Sequence, residues 1–125
     1  MSKDKKSVLI IEDDKWLAEQ YFRILNTAGY KADITLNALD AIAVIDNDIP
    51  DAIVLDVLLT GSTAFALLHE LQSYDDTGGI PIILCTNLAS ELSLENLAPY
   101  GVRQIINKAT MVPDDLVIAL RRVLL

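Results

Sequence analysis

Three acidic residues, Glu12-Asp13-Asp14, directly follow an apolar run, Val8-Leu9-Ile10-Ile11. A second apolar run, Ala52-Ile53-Val54-Leu55, leads straight into Asp56. Parallel strands would deliver these carboxylates to one sheet edge, the C-terminal edge at which open α/β sheets place their sites. Carboxylates gathered there repel one another, and a divalent cation relieves the repulsion. Two further candidate strands run out at Thr86 and Lys108. The set points to a magnesium site with an aspartate at its centre.

Each residue type has a physical task. Magnesium is small, takes six oxygen ligands and keeps several waters. Asp13 and Asp56 can each give one carboxylate oxygen, and the Leu58 backbone carbonyl a third ligand. Glu12 is longer and is expected to act through a bound water. Asp56 then keeps an oxygen free to attack phosphorus. The metal, the Thr86 hydroxyl and the Lys108 ammonium would hold the oxygens of a phosphoryl group in transfer. Such chemistry runs on positioning and charge neutralisation. A lone acid after a strand is commonly a helix cap, and a lone lysine there is commonly a solvated one. The specificity comes from the convergence of four segments.

The elements that must position these residues alternate. Apolar, β-branched runs at 7–12, 31–35, 51–56, 80–85 and 103–107 read as strands, with helical periodicity between them. Leu17, Tyr21, Ile24, Leu25 and Ala28 form a stripe, with Asp14 as its N-cap and Gly29 at its end. Ala38, Ala41, Ile42 and Ile45 form a second stripe behind Asn37. Phe65, Leu68 and Leu71 form a third, with Ser62 or Thr63 ahead of it. In the last helix Pro113 stands early, Asp114-Asp115 lie in the first turn and Arg121-Arg122 near the end, which suits the helix dipole. Residues 89–98 have no clean stripe and predict only a short helix. Tyr74 to Gly79 reads as a polar loop. Right-handed crossovers then give an α/β, doubly wound, five-stranded parallel sheet with helices on both faces.

Composition narrows the function. With 125 residues, 52% of them hydrophobic, the chain makes one domain with a sizeable core. A net charge of −8, from 18 acids against 10 bases, argues against direct nucleic-acid binding. The basic clusters, Lys3-Lys5-Lys6 and Arg121-Arg122, read as solubilising ends. No apolar run approaches a membrane span, and the polar start does not look like a signal peptide, so the expected location is the cytoplasm. One cysteine, Cys85, and one histidine, His69, cannot build a disulfide or a zinc cage. His69 reads as a surface residue of a helix.

Across almost its whole length the chain resembles the receiver domains of bacterial two-component response regulators, among them the chemotaxis type. The resemblance rests on Ile-Ile-Glu12-Asp13-Asp14, Val-Leu-Asp56-Val-Leu-Leu-Thr-Gly61, Cys-Thr86-Asn87 and Ile-Asn-Lys108, and on the spacings from Asp56 to Thr86 and from Thr86 to Lys108. It implies a flavodoxin-like fold with strand order 2-1-3-4-5. It also implies that Asp56 accepts a phosphoryl group from a histidine kinase or phosphotransfer protein in a phosphorelay, with Mg2+ bound, and that this switches binding to a downstream protein. No output domain follows Leu125, so residues 1–125 are expected to be a receiver that stands alone or is excised, monomeric when unphosphorylated. It is expected to be no enzyme beyond slow self-phosphorylation and self-dephosphorylation.

The chain departs from the family pattern at several positions. Ala109 stands where receivers usually carry proline after the lysine, so a trans bond is expected there. Thr60-Gly61-Ser62-Thr63-Ala64 replaces the usual Pro-Gly-x-Asp-Gly, and Asn87 replaces a small residue. Ile105 replaces the switch aromatic, so the readout is expected to run from Thr86 through residues 87–98. Leu58 and Leu88 replace polar residues that help place a hydrolytic water, which predicts slow dephosphorylation. Arg103-Gln104 replaces the acids that precede the fifth strand in many dimerising regulators, which argues against that dimer mode.

Three other readings are weaker. A haloacid-dehalogenase-type hydrolase needs an acid two residues after the aspartate, where Leu58 stands. A flavodoxin-type cofactor site needs a loop suited to an anion, and Glu12-Asp13-Asp14 has the wrong charge. A degenerate receiver, a pure interaction module, is favoured by the departures and opposed by the retained acids, Asp56, Thr86 and Lys108.

Overall fold

The structure, a computed structural model, describes residues 5–57 and 64–124. Five strands, β1 (Ser7–Ile11), β2 (Lys31–Thr35), β3 (Ala52–Leu55), β4 (Ile82–Thr86) and β5 (Val102–Asn107), form one sheet. All pairings are parallel, in the order β2-β1-β3-β4-β5. Helices α1 (Lys15–Thr27), α2 (Ala38–Asn47), α3 (Ala64–Gln72), α4 (Asp75–Gly78), α5 (Leu94–Leu97) and α6 (Pro113–Leu124) connect or follow the strands.

Side-chain alternation along the strands divides the core into two layers. Leu9, Ile11, Ile53, Leu55, Ile82 and Leu84 pack against Ala38, Ala41 and Ile45 of α2 and Leu67, Leu68 and Leu71 of α3. Val8, Ile10, Val54, Ile83 and Cys85 pack on the other face, against Ala18, Tyr21 and Leu25 of α1 and Leu116, Ala119 and Leu120 of α6. The sheet is therefore covered on both sides, as a doubly wound sheet must be. Its central strand residues are essentially solvent-free.

Local chemistry sets the helix ends. The Asp14 carboxylate accepts from the Trp16 and Leu17 amides at 3.0 and 3.2 Å. Asn37 Oδ1 accepts from the Asp40 amide at 2.8 Å. After α1, Gly29 takes φ +97°, a left-handed conformation that favours glycine. Pairing between β4 and β5 slips by one residue: Ile82 lies opposite Val102, but Ile83 lies opposite Gln104. Arg103 is thus an extra residue in β5, a β-bulge.

Two expectations, at Phe65 and after Tyr74, are corrected, and a third, only a short helix within residues 89–98, is met. Phe65 does not join the buried stripe of α3; it is exposed, and Ala64 and Leu67 are buried instead. The segment after Tyr74 is a short helix, α4, because Thr77 Oγ1 donates to the Leu71 carbonyl and Gln72 Nε2 to that of Gly78, at 2.9 Å. Residues 89–100 form three short pieces: a 3-10 turn at Ala89–Glu91, α5, and a second 3-10 turn at Ala98–Tyr100. Ser93 caps α5, and Pro99 sits at the start of the last turn, which limits each piece to about one turn.

Candidate functional site

β1, β3, β4 and β5 end at the same edge of the sheet. Glu12 follows Ile10 by two residues and Asp56 follows Val54 by two, so both point toward the α1/α6 layer. Lys108 follows Ile106, which packs in that layer. The three converge: Lys108 Nζ lies 2.7 Å from Glu12 Oε1 and 3.0 Å from Asp56 Oδ2. Glu12 and Asp56 are buried, and Asp13, on the loop beyond, is partly exposed.

The two charges respond differently to burial. Loss of water pushes the Glu12 carboxyl above its ordinary value, although Lys108 and the Asp14 amide oppose this. That amide donates to Glu12 Oε2 at 3.2 Å. Burial alone would lower the Lys108 ammonium, but its bonds to Glu12 and Asp56 outweigh burial and hold it above its ordinary value. One cation shared by two carboxylates is well served, whereas each carboxylate has only part of a cation.

Glu12, Asp13 and Asp56 offer carboxylate oxygens that all lie within 4.8 Å of one another. Clustered hard oxygens fit a magnesium ion better than a softer metal. The ammonium of Lys108 between two of them shows that the pocket already draws a positive charge. Leu58, expected to add a carbonyl, lies outside the described residues, as do Thr60 to Thr63.

Thr86 is fully buried, and its hydroxyl accepts from the Leu88 amide at 3.1 Å. It follows Leu84 by two residues and so lies toward the α2/α3 layer, opposite the side reached by Lys108. Its engagement with the loop was not foreseen from sequence. Leu88 packs against the α2/α3 core. Ile105 does the same, as a strand residue. The Lys108–Ala109 bond is trans, since there is no cis peptide among the described residues. The Ala109 amide donates to Asn107 Oδ1 at 2.9 Å, which tightens the turn after β5.

Two residues beneath the acids carry polar atoms that the stripe pattern concealed. Cys85 is buried in β4, and burial pushes its thiol up to about 12, so it stays a thiol. Tyr21 is buried in α1, and its hydroxyl has no hydrogen-bond partner among the described residues. A tyrosine at a core position of a helix is the sequence signal for such a group, because its ring belongs inside and its hydroxyl needs a partner.

The profile of the response regulator receiver domain matches residues 8–121. The polar-differentiation response regulator DivK of Brucella anthropi is 28% identical over 108 residues, 86% of this chain and 88% of that protein. The phosphate regulon transcriptional regulatory protein PhoB of Pseudomonas aeruginosa is 33% identical over 119 residues, 95% of this chain but 52% of PhoB. The chain therefore spans about half of that relative. A sensor protein from Polaromonas sp. JS666 shares the fold with a TM-score of 0.89 at 24% identity, covering 97% of each chain. A CheY-like receiver domain protein from Methanospirillum hungatei JF-1 superposes with a TM-score of 0.83 at 26% identity, covering 97% of this chain and 94% of that one. With this match over most of its length, the chain belongs to the response regulator receiver domain family of two-component signalling.

Proposed function

We propose that the chain is a magnesium-dependent phosphoacceptor in a phosphorelay, with Asp56 as the residue that takes the phosphoryl group. The observation that carries the reading is the placement of Asp56 between an ammonium and two further carboxylates. Lys108 is 3.0 Å from Asp56, and Glu12 and Asp13 complete an oxygen cluster with it.

An Asp56 carboxylate oxygen attacks phosphorus as the bond from phosphorus to the donor histidine nitrogen breaks, and the imidazole leaves with that electron pair. Lys108 moves from the carboxylates toward the incoming phosphoryl oxygens, and the Thr86 hydroxyl turns from its loop to reach another. Glu12, Asp13 and Asp56 would hold Mg2+, whose charge offsets that of the phosphoryl oxygens. The donor is a histidine kinase or phosphotransfer protein, and the product state switches binding to a downstream protein. The chain acts as phosphoacceptor rather than enzyme, with slow self-dephosphorylation. No helix of the described residues is long and apolar enough to cross a membrane. We place the protein in the cytoplasm on the residence of such relays.

Intact mass after incubation with Mg2+ and acetyl phosphate tests the reading. One phosphoryl adduct that disappears in Asp56→Ala is the expected result. No adduct together with no magnesium binding would overturn it in favour of a phosphorylation-independent interaction module.

A further inference from the structure

Lys108 Nζ reaches Glu12 Oε1 at 2.7 Å and Asp56 Oδ2 at 3.0 Å from the end of a flexible four-carbon stem. Such an ammonium is placed only as well as the backbone beneath it. On the strand side that backbone is fixed. Asn107 pairs with Thr86, and the Lys108 amide donates to the Thr86 carbonyl at 3.0 Å. On the other side the chain leaves the sheet. Ala109 and Thr110 are exposed, and α6 begins only at Pro113. Met111 is the first residue past Lys108 to pack against the α1/α6 core.

Asn107 closes that gap with both of its oxygens. Its side-chain Oδ1 accepts from the Ala109 amide at 2.9 Å. Its backbone carbonyl accepts from the Thr110 and Met111 amides at 3.2 and 3.0 Å. Three successive amides after Lys108 thus converge on the residue before it. An asparagine that bonds the amide two residues on mimics a backbone turn. The two bonds to the backbone carbonyl do not depend on the side chain. The bond to Ala109 does, and it holds the peptide that leaves Lys108. The methyl group of Ala109 has nothing with which to fix that peptide itself. A turn former elsewhere would matter to stability alone; here the residue it encloses carries the ammonium of the pocket.

We propose that Asn107 is a positioning residue for the phosphoryl transfer: its Oδ1 clamps the peptide after Lys108 and thereby aims the ammonium at Asp56. The inference rests on the phosphoacceptor reading above. It gives a share in phosphoryl affinity to a side chain that never touches the phosphoryl group.

The test compares wild type with Asn107→Ala and Asn107→Ser in two calorimetric titrations. The first uses magnesium alone. The second uses trifluoroberyllate, a phosphoryl stand-in, at saturating Mg2+. Asn107→Ala should load the stand-in about fivefold more weakly, the effect of one neutral hydrogen bond. It should bind magnesium at least as tightly as wild type, since a loosened ammonium competes less for the oxygens of Glu12 and Asp56. Asn107→Ser should recover part of the loss, because a hydroxyl makes the same bond more weakly. Loading in Asn107→Ala that matches wild type would overturn the proposal. Loss of both affinities together would assign Asn107 a general structural role and overturn it too, as would a serine variant no better than the alanine one. A wild type that takes up neither magnesium nor the stand-in would instead bring down the phosphoacceptor reading itself, and this inference with it.

Discussion

The Leu88 amide donates to the Thr86 hydroxyl at 3.1 Å. The residue at the end of β4 is thus held by the segment it would have to release. A switch needs an interaction that differs between its states, and about 5.5 kcal/mol of preference moves a population from 1:99 to 99:1. Exchange of the Leu88 amide for a phosphoryl oxygen is one such difference, and it acts on helical pieces of only three or four residues each. Thr86→Ala should cost the unloaded protein about 1 kcal/mol. It should also uncouple residues 87–98 from loading. Amide hydrogen exchange checks this: protection in that segment changes on loading in wild type and stays flat in the variant. An undiminished change in Thr86→Ala would remove Thr86 from the switch.

Glu12 predicts a pH signature. Its folded value is raised above the ordinary 4.5, chiefly by burial. The folded state then binds its proton more tightly than the unfolded state does. The contribution to stability is fully present below 4.5 and is lost as pH rises through the folded value. Relative to Glu12→Gln, the wild type should gain stability on acidification from neutral pH, by no more than about 1.4 kcal/mol per pH unit. Urea unfolding of both proteins across a pH series measures the difference. A constant difference would show that burial does not govern this carboxyl.

The lifetime of the proposed aspartyl phosphate depends on placing a water in line with the bond to phosphorus. Leu88 is partly buried against the α2/α3 layer and offers that water nothing. Introducing polar side chains with Leu58→Asn and Leu88→Gln should speed loss of the phosphoryl group about tenfold, or about 1.4 kcal/mol of barrier. Decay of the adduct by mass against time is the measurement, and equal half-lives would refute the prediction.

Gly101 begins the return into β5 with φ +90°. A Cβ there would meet the Ile80 carbonyl oxygen and Gln72 Nε2, both at 3.2 Å. Its own carbonyl accepts from the Ile82 amide at 2.9 Å, so the turn cannot relax without disturbing the β4–β5 pairing. Gly101→Ala should cost about 1–3 kcal/mol. Denaturant melts would expose a smaller cost.

The strands and the helix caps were legible in the sequence for plain reasons, whereas the strand order came only from the family resemblance. Buried parallel strands read as unbroken apolar runs, and Asp14 and Asn37 cap helices by chemistry local to a few residues. The clustering of Glu12, Asp13 and Asp56 followed from strand ends sharing an edge. What was not legible depends on distances between elements. No spacing announces that Lys108 reaches Glu12 as well as Asp56, or that Thr86 is turned to its own loop. Phe65 fits a helical stripe as well as Leu67 does, and only the position of α3 on the sheet decides between them. The helix α4 is held by Thr77 bonding back to Leu71 of α3 and by Gln72 of α3 bonding forward to Gly78, which no local propensity for Asp75-Asp76-Thr77-Gly78 would suggest.

The bulge at Arg103 sets the phase of β5. Val102 faces the α2/α3 layer and so does Ile105, an odd interval that an uninterrupted strand cannot produce. Ile106 and, two residues on, Lys108 are thereby turned to the side of the acids. Were the same strand to pair without the bulge, with Arg103 opposite Ile83, every later side chain would change face and the ammonium would aim into the opposite layer. The charge balance of the pocket is therefore governed by a strand register set some distance away, and an insertion or deletion between Gln104 and Lys108 is a more drastic change than any single substitution there.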